Sequence, residues 1–225
     1  MNTNLTYICF SGWALLSGMA APNVTLMPAT EQARYIAHLL INETSFPGER
    51  GFVSEEDSKA TMRALLLVID ARCNRIPPGY SREEIAETDS SDPIDIITAG
   101  GRRGQMDGFS RGGRSRLVMA PRVTARVTRL LRIANQGVPD RFARLLSYAQ
   151  TLTKEYLDGT KPSPDPFETI TRIAPHAVTG RAYAWMSDRD GYHPGGDFVR
   201  IPDSLCGRLG GNRFYTLAKR AADRP

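Results

Sequence analysis

The stretch Thr30–Leu67, TEQARYIAHLLINETSFPGERGFVSEEDSKATMRALLL, contains two segments with helical patterns on either side of a short turn. The apolar residues of the first segment recur at the i, i+3, i+4, i+7, i+8 spacing of one helix face: Ala33, Ile36, Ala37, Leu40 and Ile41. This pattern stops at Asn42, and the residues at 45–48, Ser-Phe-Pro-Gly, break the chain. Glu43 is therefore predicted at the C-terminal end of a buried helix.

The position of Glu43 has a chemical consequence. A helix C-terminus carries partial negative charge, and together with apolar neighbours it raises the pKa of a carboxyl group. A general acid needs such an environment, because it must hold its proton at the working pH. The alternative is a solvated glutamate at a helix end, which is the commoner outcome for such a position.

The rest of the chain predicts more helices, followed by a few short strands. Ser54-Glu55-Glu56-Asp57 is a capping-box-like start for the second helix, which is apolar nearly all round and therefore belongs in the core. Further helix starts are predicted at Ser81, Asp92-Pro93, Pro121 and near Phe142. Strand-like segments bounded by Gly and Pro come last: Gly180–Trp185, Phe198–Pro202 and Asn212–Leu217. We expect an α+β fold, mainly helical, with a small late antiparallel sheet.

Composition limits the class of protein and of partner. A chain of 225 residues with 41% hydrophobic and 24% charged residues is typical of one globular domain. The formal net charge of +5 favours an anionic partner, such as nucleic acid, a membrane surface or an acidic polymer. No segment after the N-terminus has the apolar length of a transmembrane helix.

The N-terminal residues indicate export. Residues 1–21 contain no charged side chain, and an apolar run is followed by small residues up to Ala21, as in a signal peptide cleaved near that residue. A basic n-region is missing, and a buried N-terminal helix is the alternative. Cleavage leaves a single domain at 22–225, in the periplasm or outside the cell. It also leaves two cysteines, Cys73 and Cys206, as a candidate disulfide, the alternative being two free buried thiols.

Residues 100–113 combine six glycines with several arginines. Backbone amides and guanidinium groups in such a segment can wrap an anionic ligand. A flexible, solvated loop is the commoner outcome for this composition. The order of residues is not that of a nucleotide-binding loop, because it lacks GxxxxGK[ST].

Five short motifs occur in an order that resembles the SleB/CwlJ-type cell-wall hydrolases, a peptidoglycan-cleaving family of lysozyme-like architecture. The motifs are Glu43–Glu49, Cys73-Asn74-Arg75, Gln105-Met106, Thr179–Tyr183 and Phe214-Tyr215. In the same order, they correspond to the family's glutamate turn, helix end, G-Q-F-like loop, T-G-A-T-H-Y-like strand and final aromatic pair. Three departures are visible. The glutamate turn is longer than usual, Tyr183 replaces a histidine, and Asn212 replaces another.

The resemblance implies cleavage of the glycan strand of peptidoglycan with Glu43 as the acid. Gln105 and Tyr183 would bind or orient the sugar, in the same groove as Glu43; the alternative for Tyr183 is packing within the sheet. A hydrolytic route needs a partner carboxylate about 5 to 9.5 Å away. Asp107 and Glu49 are the candidates, the alternative for each being a surface residue. A lytic transglycosylase needs none, because the sugar's own hydroxyl attacks. The expected partner is peptidoglycan, with no nucleic acid, membrane insertion, cofactor or metal.

Two other functions remain open at this point. The first is a cysteine amidase with Cys73 as nucleophile and His176 or His193 as base. Cys73 nevertheless follows an apolar helix, whereas such a nucleophile usually begins one. The second is a basic glycan-binding protein whose catalytic site is degenerate. A zinc site has little support, because His38, His176 and His193 share no ligand spacing.

Overall fold

The computed structural model describes residues 24–26, 31–99, 106–113, 116–136, 141–188 and 193–220. The expected signal peptide at 1–21 and the expected sugar-binding residue Gln105 lie outside these residues. Six α-helices are described: α1 (Glu31–Glu43), α2 (Glu55–Asn74), α3 (Arg82–Ala86), α4 (Pro93–Thr98), α5 (Pro121–Ala134) and α6 (Arg141–Leu157).

Local chemistry sets the helix starts. The Ser54 hydroxyl accepts a hydrogen bond from the Asp57 amide at 3.0 Å and begins α2. Ser81 and Glu84 form a complete capping box at α3. From Thr61 to Cys73, α2 is buried at all but one position, as its apolar pattern predicts. Helices α1, α2 and α5 all pack against α6, so the core lies between these four helices.

A small antiparallel sheet follows the helices in the chain. Its strands are β5 (Ala184–Ser187), β6 (Phe198–Arg200), β7 (Arg208–Leu209) and β8 (Asn212–Leu217). All three of the other strands pair with β8. The first of these strands begins four residues later than the sequence predicts, because Gly180 has a φ of 72° and interrupts extended structure.

Two short hairpins were not predicted. The first pairs β1 (Phe109–Arg111) with β2 (Leu117–Met119), within and just after the Gly/Arg-rich segment. The Tyr35 hydroxyl of α1 lies 3.0 and 2.8 Å from the carbonyl oxygens of Ser110 and Val118, so the hairpin is bonded to the helical body. The second pairs β3 (Arg172–Ile173) with β4 (His176–Ala177). The protein is therefore α+β and mainly helical, with small antiparallel sheets.

The expected disulfide between Cys73 and Cys206 is wrong, because both cysteines are free. Cys73 is buried in the last turn of α2, whereas Cys206 is exposed in a turn before β7. The β7–β8 hairpin contacts α2 near its start, where the Asp57 carboxylate accepts from the Gly210 amide at 3.0 Å. Cys73 lies about 24 Å further along the helix axis than Asp57. In the described part of the chain no helix is long and apolar enough to cross a membrane.

Candidate active site

A groove of about 450 Å³ lies between the helical body and the sheet. One wall consists of the end of α1, the turn that follows it, and two arginines of α5. The opposite wall consists of the end of β5 and the β7–β8 hairpin. The residues that line it are 42–45, 49–51, 126, 129, 187, 188, 208 and 210–212.

Glu43 lies in this groove as the last residue of α1. Its Oε1 accepts a hydrogen bond from Asn42 Nδ2 at 2.8 Å, and its Oε2 accepts one from the Trp185 indole Nε1 at 3.2 Å. Its backbone carbonyl accepts from Asn212 Nδ2 at 2.6 Å. Residues from β5 and β8 therefore fix an acid at the end of the first helix.

The pKa of Glu43 is raised above that of a free glutamate, and burial of the carboxyl group is the main cause. The hydrogen bonds from Trp185 and Asn42 and the positive charge of Arg126 act in the opposite direction, whereas the negative charge of Asp107 adds to the rise. Burial prevails over these opposing interactions. The carboxyl group consequently keeps its proton at pH values where a free glutamate has lost it.

Arg126 of α5 holds the end of α1 in place. Its guanidinium donates to the carbonyl oxygens of Ile41 and of Thr44, the latter at 2.8 Å. The first carbonyl lies in the last turn of α1, where intrahelical partners are missing, and the second belongs to the residue that follows the helix. The guanidinium also lies 5.6 Å from the centre of the Phe46 ring and forms an ion pair with Glu49.

Glu49 lines the groove, but its carboxylate is already bonded on several sides. It pairs with Arg126 and with Arg129, the latter at 2.8 Å, and accepts from the Phe46 amide at 2.9 Å. Its two oxygens are thus engaged by two guanidinium groups and a backbone amide, and are not free to contact a water molecule or a sugar carbon. The structure places Glu49 in the groove as an ionic anchor for the turn.

Asp188 is a groove residue that the sequence analysis missed. It lies directly after β5 and pairs with Arg208 at 2.8 Å and with Arg213 at 2.5 Å. Both arginines belong to the β7–β8 hairpin, so this cluster joins two strands of the same wall. No local pattern marks Asp188, because its partners come from a later part of the chain.

The other expected site residues are placed differently. Tyr183 does not face the groove, which corrects the expectation. Its side chain is buried, and its hydroxyl donates to the Arg75 carbonyl oxygen at 2.6 Å, beyond the end of α2. Asp107 is exposed and pairs with Arg122 at 2.5 Å. It is not a lining residue, although its charge acts on Glu43.

The amidase alternative needs Cys73 as a thiolate nucleophile. Burial raises the pKa of the Cys73 thiol to about 12, so the thiolate needed for attack is scarce at neutral pH. His176 lies exposed in β4, and His193 packs edge-on against Tyr215 with ring centres 5.0 Å apart. Among the described residues, no three His, Cys, Asp or Glu side chains are grouped to hold a metal ion.

The groove therefore has one partly buried acid with a raised pKa, two other carboxylates that are paired with arginines, and an excess of cationic side chains. Such a site can donate one proton to an uncharged leaving group. Comparison with family models, with curated proteins and with solved structures gives no match for this chain.

Proposed function

We propose that this protein cleaves the glycan strand of peptidoglycan, with Glu43 as the single general acid. The observation that carries the proposal is the position of Glu43: a partly buried carboxyl group with a raised pKa, in an open groove between helices and sheet. A glycosidic oxygen is a poor leaving group until it is protonated, and a glutamate of this kind supplies that proton. The order of the sequence motifs supports membership of the SleB/CwlJ-type family, and the uncharged apolar residues 1–21 support an exported location.

The proposed reaction uses one carboxyl group twice. Glu43 donates its proton to the glycosidic oxygen as the bond from the sugar C1 to that oxygen breaks. The 6-hydroxyl of the same sugar then attacks C1, and its proton returns to the Glu43 carboxylate. The hydrogen bonds from Trp185 and Asn42 stabilise the carboxylate in the interval.

The carboxylates around Glu43 favour this route over hydrolysis. Glu49 and Asp188 are both held by pairs of arginines, so neither is free to activate water or to attack the sugar. Asp107 is exposed and tied to Arg122. We therefore expect a product with an anhydro end rather than a reducing end.

The test is mass analysis of the fragments released from purified peptidoglycan by the wild type and by Glu43→Gln. The variant keeps the shape of the side chain and removes the proton, so the rate should fall by about 10² to 10⁴-fold. Glu56→Gln, which changes an exposed glutamate of α2, is the matched control and should leave the rate unchanged. Cleavage by Glu43→Gln at the wild-type rate would refute the proposal. Free stem peptides in place of sugar fragments would point to the amidase alternative.

A further inference from the structure

Two ion-pair clusters with the same numbers of positive and negative charges lie on opposite walls of the groove. In the α5 cluster, Glu49 lies between Arg126 and Arg129. The hairpin cluster consists of Asp188 between Arg208 and Arg213. Each cluster has two arginines for one carboxylate, and therefore an excess of positive charge.

In both clusters one arginine side chain is more exposed to solvent than the other. Arg129 and Arg208 are the outer cations, with side chains 53% and 54% exposed. Arg126 and Arg213 are the inner ones, at 20% and 30%. The carboxylates are mostly buried, so each wall presents one outer guanidinium to the groove. A guanidinium has five N–H donors, and its ion pair to the carboxylate uses only part of them.

We propose that these outer arginines bind carboxylate substituents of the substrate, one on each side of the bond that is cleaved. The inference rests on the proposed function, because it takes the groove around Glu43 as the substrate site. The substrate would then be a glycan strand whose sugars carry acidic substituents on both sides of the scissile bond. The planar guanidinium fork matches a carboxylate in two parallel hydrogen bonds, which gives orientation as well as attraction.

The cations of the groove and the raised pKa of Glu43 are compatible with each other. Of the four arginines, Arg126 is the one whose charge lowers the pKa of Glu43, and burial of the carboxyl group outweighs that effect. Each of the four is also paired with Glu49 or Asp188. The groove therefore offers cationic side chains to an anionic strand beside an acid whose pKa stays raised.

The experiment measures binding rather than cleavage, with the full chain carrying Glu43→Gln. The ligand is a peptidoglycan glycan strand freed of stem peptides, whose alternate sugars carry a carboxylate. The comparison ligand is the same strand with those carboxylates converted to methylamides. Arg129→Gln and Arg208→Gln should each weaken binding of the acidic strand by about threefold to fivefold. Neither should change binding of the methylamide strand.

Two control variants separate the outer cations from general surface charge. Arg132→Gln removes an exposed arginine of α5, and Arg200→Gln removes one of the sheet, and neither residue lines the groove. Both controls should bind the acidic strand as tightly as the parent protein. The inference is overturned if a control loses as much affinity as Arg129→Gln, or if the two strands bind equally well.

The outcomes also separate this inference from the proposed function. If the wild type cleaves peptidoglycan but both strands bind equally well, the proposed function is supported and the carboxylate sites are rejected. If binding of the acidic strand depends on Arg129 and Arg208 but the wild type cleaves nothing, the carboxylate sites are supported and the proposed function is rejected. A Glu43→Gln protein that binds neither strand rejects the carboxylate sites directly.

Discussion

Arg126 offers a quantitative test of how the acid is held. Its guanidinium donates to the carbonyl oxygens of Ile41 and Thr44, pairs with Glu49, and is only one-fifth exposed. Arg129, one turn further along α5, bonds to the same Glu49, and its side chain is about half exposed. The two arginines therefore share a partner and differ in burial and in their contact with the end of α1.

Arg126→Met keeps an apolar stem and removes the guanidinium. Each hydrogen bond from a charged donor contributes roughly 1.5–3 kcal/mol, and the lower end applies to a group with some solvent exposure. Two such bonds to carbonyls are lost, and Glu49 keeps Arg129 as a partner. We expect a loss of about 2–4 kcal/mol in the free energy of unfolding. For a chain of this size that corresponds to a fall of roughly 5–15 °C in Tm.

The measurement is urea and thermal unfolding of Arg126→Met beside Arg129→Met. The second variant removes an exposed ion pair and should cost at most about 1 kcal/mol. Equal losses in the two variants would show that the contacts to the end of α1 contribute nothing, and the account of how Glu43 is positioned would fail.

Two further predictions concern pH. His38 is buried beside Met119, and burial lowers its pKa to about 4. Below about pH 6.5 the unfolded chain therefore takes up a proton that the folded protein does not. The contribution of His38 to stability should fall by about 2 kcal/mol between pH 7 and pH 5. Urea unfolding of the wild type should therefore lose about that much more stability over this range than urea unfolding of His38→Gln. The contribution of Glu43 to stability changes with pH in the opposite direction. Because its pKa is raised, ionisation of Glu43 destabilises the folded state as pH rises above the ordinary value near 4.5. Glu43→Gln should therefore be more stable than the wild type at pH 7 and approach it in acid; equal stability at both pH values would contradict the burial of this carboxyl group.

The helices and the last strand could be predicted because their signals are local. The apolar spacing from Ala33 to Ile41 and the caps at Ser54 and Ser81 act within a few residues, and the structure confirms them. The β1–β2 hairpin could not be predicted, since its glycines and arginines resemble a loop. Both of its strands accept hydrogen bonds from Tyr35, a residue more than seventy positions earlier in the chain.

The candidate site was predictable only in part, because local patterns in the sequence do not show which distant residues come together in the fold. Glu43 follows from a helix end, and its place in a groove between body and sheet agrees with the expectation. Tyr183 was placed wrongly, because a tyrosine in a strand can face either side and no sequence pattern shows that its hydroxyl reaches Arg75. Asp188 was missed, since its importance comes from arginines that only the folded sheet brings near.

The bond between Asn212 and the carbonyl of Glu43 joins residues 169 positions apart. Every other strand of the sheet also pairs with β8, the strand that Asn212 begins. On a ribosome adding about 5–20 residues per second, roughly ten to thirty seconds separate the synthesis of these two residues. A nascent chain consequently contains Glu43 before the β7–β8 hairpin that completes the groove has been made. The groove around Glu43 is therefore complete only after the last strand has been made.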